Sequence, residues 1–140
     1  MQIKISLISD KDILLPIQYN HLLQGFIYNN IDGDLARFLH DKGYMYNNRS
    51  FKLFTFSQIL GKRKKTNENY NYGNEFSLVI ASPIDLFCKS IANLMLKNND
   101  LLLGQNHIRV NQIQILENTA ESNEIIVRTL SPIVAYSTLL

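Results

Sequence analysis

The chain has 140 residues, enough for one hydrophobic core and too few for two ordinary ones. Apolar residues make up 46% and charged residues 19%, which excludes a disordered chain, and no run of about 18 apolar residues exists to span a membrane. One cysteine excludes an internal disulfide framework, and three scattered histidines give no zinc-type cluster, so no structural metal or cofactor is expected. The net charge of +2 is local in origin: Lys62-Arg63-Lys64-Lys65 places four positive charges in a row, and without them the balance is negative. Such a run is either a solvated loop or a loop that contacts phosphates.

In chain order, residues 2–8 alternate Ile3, Ile5 and Leu7 against polar neighbours, a half-buried strand rather than the unbroken apolar block of a signal peptide. A cytoplasmic location is the expectation. Pro16 fits the entry to a helix that runs to about Asn30. Tyr19, Leu22, Leu23, Phe26 and Ile27 form its apolar stripe. At about 100° per residue, Tyr28 falls opposite that stripe with His21 and Gln24, where packing does not need it. Asp32 or Asp34 can cap a second, short helix from Leu35 to Lys42, with Gly43 as its stop and His40 to one side of its apolar face. Phe51 to Ser57 reads as one strand with large side chains on both faces and Lys52 at its start.

Gly61 to Asn74 reads as a polar, mobile connection that carries the basic run and then Tyr70 and Tyr72. Glu75 to Ala81 is the next strand. Ser82-Pro83 opens a helix striped by Ile84, Phe87, Cys88, Ile91 and Met95, where Cys88 reads as a core thiol. His107 to Leu116 alternates as a strand, Glu124 to Leu130 gives one more, and an apolar tail follows. The order is βαββαβ with an extra C-terminal strand. It predicts an α+β, ferredoxin-like (RRM-like) domain over residues 1–140, with two helices on one face of a four-stranded antiparallel sheet. RNA-binding domains of this topology use the free face, and so do regulatory domains.

Four segments, in order, resemble the N-terminal half of the sixth family of Cas proteins, the CRISPR-associated endoribonucleases that cut repeat RNA. They are Pro16-Ile17-Gln18-Tyr19-Asn20-His21 with Leu23-Gln24-Gly25-Phe26-Ile27-Tyr28; Phe38-Leu39-His40-Asp41; Phe51 to Ser57; and Thr129-Leu130-Ser131-Pro132-Ile133. The resemblance implies cleavage without a metal. The 2′-hydroxyl before the scissile phosphate attacks it and leaves a 2′,3′-cyclic phosphate and a free 5′-hydroxyl. It also implies a tyrosine, a histidine and a lysine as catalytic groups, which carry over to Tyr28, His40 and Lys52. A histidine can move the proton of the 2′-hydroxyl or of the leaving oxygen, a lysine can offset the charge on the phosphorane, and a phenol can donate to the phosphate. Which of His40 and Tyr28 is acid and which is base stays open. The implied partners are CRISPR repeat RNA, with Lys62, Arg63, Lys64 and Lys65 as RNA-binding residues, and a CRISPR effector complex.

Each of these residues has a plainer reading. Tyr28 can be a surface tyrosine, His40 a cation at a helix C-terminus, and Lys52 a charge that guards a sheet edge. Full members of the family have two ferredoxin-like halves, and this resemblance covers about one. A fragment or truncated form is therefore expected, whose apolar tail (Ile133, Val134, Leu139, Leu140) meets a missing second domain or a second copy. A non-cleaving RNA-binding module and a ferredoxin-like regulatory or assembly domain are the alternative functions.

Overall fold

The computed structural model describes residues 1–117 and 121–135. Its centre is an antiparallel sheet of five strands: β1 (Gln2–Ile8), β5 (Thr55–Phe56), β8 (Glu75–Ala81), β9 (Leu101–Leu103) and β10 (Asn106–Leu116), in the order β5-β8-β1-β10-β9. The register pairs Ile5 with Leu78 on one side and Ile113 on the other, so each apolar row of β1 continues across the sheet. The buried alternation in β1 and β8 turns Ile3, Ile5, Leu7, Phe76, Leu78 and Ile80 to a single face. Three helices, α1 (Asn20–Asn29), α2 (Gly33–Asp41) and α3 (Asp85–Lys97), supply the other half of that core. α1 contributes Leu23, Phe26 and Ile27, and α3 contributes Phe87, Cys88, Ile91 and Met95. The fold is thus mixed α+β. Cys88 is a core thiol whose pKa burial pushes up. Among the described residues no helix is long and apolar enough to cross a membrane.

The turn chemistry follows the residues. Asp32 caps α2 through its side-chain oxygen, which accepts from the amides of Asp34 and Leu35 at 3.0 and 3.1 Å. Gly43 ends α2 at φ +71°, and a Cβ there would stand 2.7 Å from Ser50 Oγ and 2.8 Å from the Phe51 carbonyl oxygen. Only glycine fits that position. Asn47 and Asn48, both at positive φ, make the two-residue turn between β3 (Tyr44–Tyr46) and β4 (Arg49–Phe51).

Three expectations are corrected. Residues 51–57 are not one strand. The chain pairs with β3 as far as Phe51, leaves through Leu53 at φ +53°, and pairs with β8 only from Thr55. Two different partners pull on its two ends, and Lys52 lies in the bend between them. The Gly61–Asn74 connection is not structureless. It holds a hairpin of β6 (Lys64–Thr66) and β7 (Asn69–Asn71), turned by Asn67 at φ +50° and paired to β2 (Leu14–Pro16) in a second sheet of order β2-β7-β6. Finally, Glu124 to Leu130 forms no strand. Its end alone meets the sheet, where the Gln58 amide just past β5 donates to the Leu130 carbonyl oxygen at 3.4 Å, and Ile126 in its middle is fully exposed. Ile133 and Val134 of the expected apolar tail are exposed as well, whereas Leu139 and Leu140 lie outside the described residues.

Candidate functional site

Tyr28 sits in the last turn of α1, half-buried. It is not idle on the polar face, as the helical periodicity suggests. Its ring meets Phe54 edge-on at 5.9 Å, and Phe54 in turn stacks on the buried Phe87 at 4.6 Å and 19°. The tyrosine is therefore seated by an aromatic column that reaches into the core. Burial raises the Tyr28 pKa above the ordinary value, which keeps the phenol a proton donor.

His40 stands in the last turn of α2 with its side chain 82% exposed. Its Nδ1 lies 2.8 Å from Asp41 Oδ1. With Nδ1 donating to that carboxylate, Nε2 is the nitrogen left facing solvent. Lys52 folds back onto the same helix end. Its ammonium donates to the carbonyl oxygens of Leu39 and His40, the latter at 3.2 Å. A cation on those two carbonyls satisfies acceptors that the helix itself leaves open.

The structure thus joins Lys52 to the backbone that carries His40, and joins Tyr28 to Phe54, two residues beyond Lys52. The α1 end, the α2 end and the 52–54 bend form one frame. Among the described residues the Tyr28 hydroxyl has no hydrogen-bond partner, so Tyr28 meets the other two through the frame alone. Sequence reasoning missed Asp41 and Phe54 as supports. Asp41 was signalled by its position next to His40; Phe54 was hidden by the broken strand.

The four basic residues are all exposed. Lys64 pairs with Asn71 and Lys65 with Tyr70 across the hairpin, so the two lysines point to opposite faces. The Arg63 guanidinium lies over the Tyr70 ring, 4.1 Å from its centroid. Tyr70 meets Tyr72 edge-on at 6.2 Å, and Tyr72 meets Tyr19 at 6.3 Å. The Tyr72 hydroxyl is buried with no hydrogen bond of good geometry, although Arg63 and Tyr19 are near it. Burial pushes its pKa up to about 12. The period-two spacing of Tyr70 and Tyr72 was the sequence signal for this hairpin.

An α+β domain with a cationic, aromatic-backed hairpin and a Tyr, His, Lys frame is a form suited to phosphodiester ligands. The chain belongs to the Cas6 family: the family model described as CRISPR-associated protein Cas6, N-terminal, matches residues 14–114. Three solved structures are similar. One, titled CRISPR associated protein Cas6, is 25% identical with a TM-score of 0.64, over 86% of this chain and 50% of that one. A second, titled as the characterization of a Cas6-related gene from Pyrococcus furiosus, is 24% identical with a TM-score of 0.69, over 88% of this chain and 50% of that one. A third, titled as an RAMP protein binding different RNA substrates, is 23% identical with a TM-score of 0.67, over 87% of this chain and 50% of that one. The chain spans about half the length of each. No curated protein sequence matches it.

Proposed function

We propose that this chain is the RNA-processing N-terminal half of a Cas6-type endoribonuclease, which binds CRISPR repeat RNA and cuts it without a metal to make guide RNAs. Its core is a ferredoxin-like βαββαβ unit over residues 1–140. The spatial order β10-β1-β8-β5, in which the last strand of the unit lies beside the first, supports that assignment. In this reading the protein acts in the cytoplasm. A second ferredoxin-like domain or a second copy packs against the exposed Ile125, Ile126 and Val127, and an effector complex takes up the product.

The observation that carries the reading is the clamp of Lys52 on the end of α2, beside the exposed imidazole of His40. Nε2 of His40 moves the proton of the 2′-hydroxyl or of the leaving 5′-oxygen, while Asp41 orients the ring through Nδ1. The oxygen of the 2′-hydroxyl forms a bond to phosphorus as the bond to the 5′-oxygen breaks, and the proton passes to the leaving oxygen. Lys52 places positive charge where the phosphorane becomes more negative. Tyr28, held neutral, donates to a non-bridging oxygen or orients the sugar.

One observation favours a second reading. The Lys52 ammonium already holds two carbonyls, which suits a structural cation in a non-cleaving RNA-binding module. Incubation of a repeat RNA with the protein in EDTA separates the two. Fragments ending in a 2′,3′-cyclic phosphate are expected. Repeat RNA that is bound and recovered intact would replace the nuclease with the binding module.

A further inference from the structure

Beside the Tyr, His, Lys frame lies a groove of about 830 Å³ between the start of α1, the β5 segment, the basic hairpin and the 131–134 segment. Its lining brings a guanidinium and aromatic rings together. The guanidinium of Arg63 lies over the ring of Tyr70 on one side, and Phe54, Asn20, His21 and Gln58 are among the other residues that line the groove. None of its lining residues is a carboxylate. The hollow by β9 has the opposite character, for Asp10, Asp12 and Asp100 all line it.

We infer that this groove is a subsite for unpaired RNA bases, adjacent to the candidate catalytic frame; the inference rests on the RNA reading above and deepens it. Three features carry it. First, a planar cation stacked on an aromatic ring is a surface on which a base can lie, and such stacking does not depend on which base it is. Second, the amide and imidazole groups of the lining supply both donors and acceptors, so the subsite can prefer one base over another. Third, the volume lies in the range of about 300–1,000 Å³ that takes a small ligand, which suits one or two nucleotides. The missing carboxylates matter because nothing in the groove repels the phosphates that join those nucleotides.

Phe54 fixes where the bases come from. Its ring is a wall of the groove and also the support of Tyr28. A single strand that leaves a base in the groove therefore passes Phe54 and brings the neighbouring phosphodiester to Tyr28. The subsite holds nucleotides close to the cut and positions the scissile bond. His21 and Gln58 read the base, and Arg63 and Tyr70 carry it.

The test is fluorescence anisotropy of a labelled, unstructured RNA oligonucleotide with the 140-residue chain, together with Tyr70→Ala, Tyr70→Phe, His21→Ala, Lys64→Ala and Arg109→Ala. Loss of the stacking ring is expected to weaken binding about 5- to 150-fold, with Tyr70→Phe close to the parent. His21→Ala, on an exposed helix face where folding is not at risk, is expected to weaken it about 2- to 12-fold. Both should leave the salt slope at its parent value, whereas Lys64→Ala lowers the slope by about 0.7, and Arg109→Ala, far from the groove, changes nothing. A 4-thiouridine oligonucleotide should crosslink to Tyr70 or His21. If the parent binds the oligonucleotide and both Tyr70→Ala and His21→Ala bind it equally well, the subsite is refuted and the RNA reading stands. Binding of hairpin RNA but not of the unstructured strand also refutes the subsite. If the parent binds neither RNA, the RNA reading itself fails and the subsite falls with it.

Discussion

Tyr28 and His40 are held in opposite ways. Tyr28 is seated from beneath by a column of rings, Phe54 on Phe87, whose foot is only 2% exposed. His40 has no such foundation; its ring is in solvent, and its position depends on the α2 backbone, on Asp41 and on the Lys52 clamp. Packing fixes one group, and hydrogen bonds to a helix end fix the other. A proton donor that only needs to stay put suits the first arrangement. In the proposed reaction, a group that exchanges protons with substrate and water suits the second.

This contrast can be broken from either side, and the largest effect lies at the foot of the column. Phe87→Ala removes a fully buried ring and is expected to cost about 3–5 kcal/mol of stability, read from urea unfolding. It should also loosen Tyr28, which near-ultraviolet circular dichroism reports. On the α2 side, Gly43→Ala sets a Cβ against Ser50 and the Phe51 carbonyl at positive φ and is expected to cost about 1–3 kcal/mol. Its damage should fall on the clamp, with hydrogen exchange rising in 38–52 while the sheet stays protected.

Lys52→Met sharpens the comparison. The chain keeps the length of the side chain but loses the cation on the α2 carbonyls. An expected loss of about 0.5–1.5 kcal/mol in stability accompanies a fall of about 10²–10³ in cleavage rate. Equal activity in the variant would leave Lys52 a structural cation.

The smallest expected effect is one of pH, in the tyrosine cluster behind the hairpin. Tyr72 has its pKa raised from 10.0 to about 12, so the folded state holds the neutral phenol more tightly than the unfolded state does. Its contribution is fully present below pH 10 and is lost as pH rises through about 12. Urea midpoints should therefore fall in that alkaline window. Tyr72→Phe, which removes a buried hydroxyl without a well-placed partner, should flatten the fall and cost little at neutral pH.

What the sequence made legible follows the same division. Elements set by local pattern were readable: the alternation of β1 and β8, the stripe of α3, an aspartate cap at position 32 or 34 and the Gly43 stop. Elements set by distant partners were not. Phe51 to Ser57 has strand residues throughout, yet β3 and β8 compete for its ends and Leu53 takes up the turn. The β6–β7 hairpin depends on β2, more than 50 residues earlier in the chain. Glu124 to Leu130 has strand residues, yet it meets the sheet through the Gln58–Leu130 bond at its end and does not pair along its length. The same holds for the site. Tyr28, His40 and Lys52 could be singled out by resemblance, but the clamp, the Asp41 contact and the ring column exist only in three dimensions.

The most direct test of the central claim is His40→Ala, scored at once for repeat-RNA cleavage in EDTA and for unfolding midpoint. An exposed side chain held only through Asp41 should cost less than about 0.5 kcal/mol of stability when removed. Cleavage should nevertheless fall by about 10²–10⁴. A variant that cuts as fast as the parent would contradict the role of this imidazole and, with it, the nuclease.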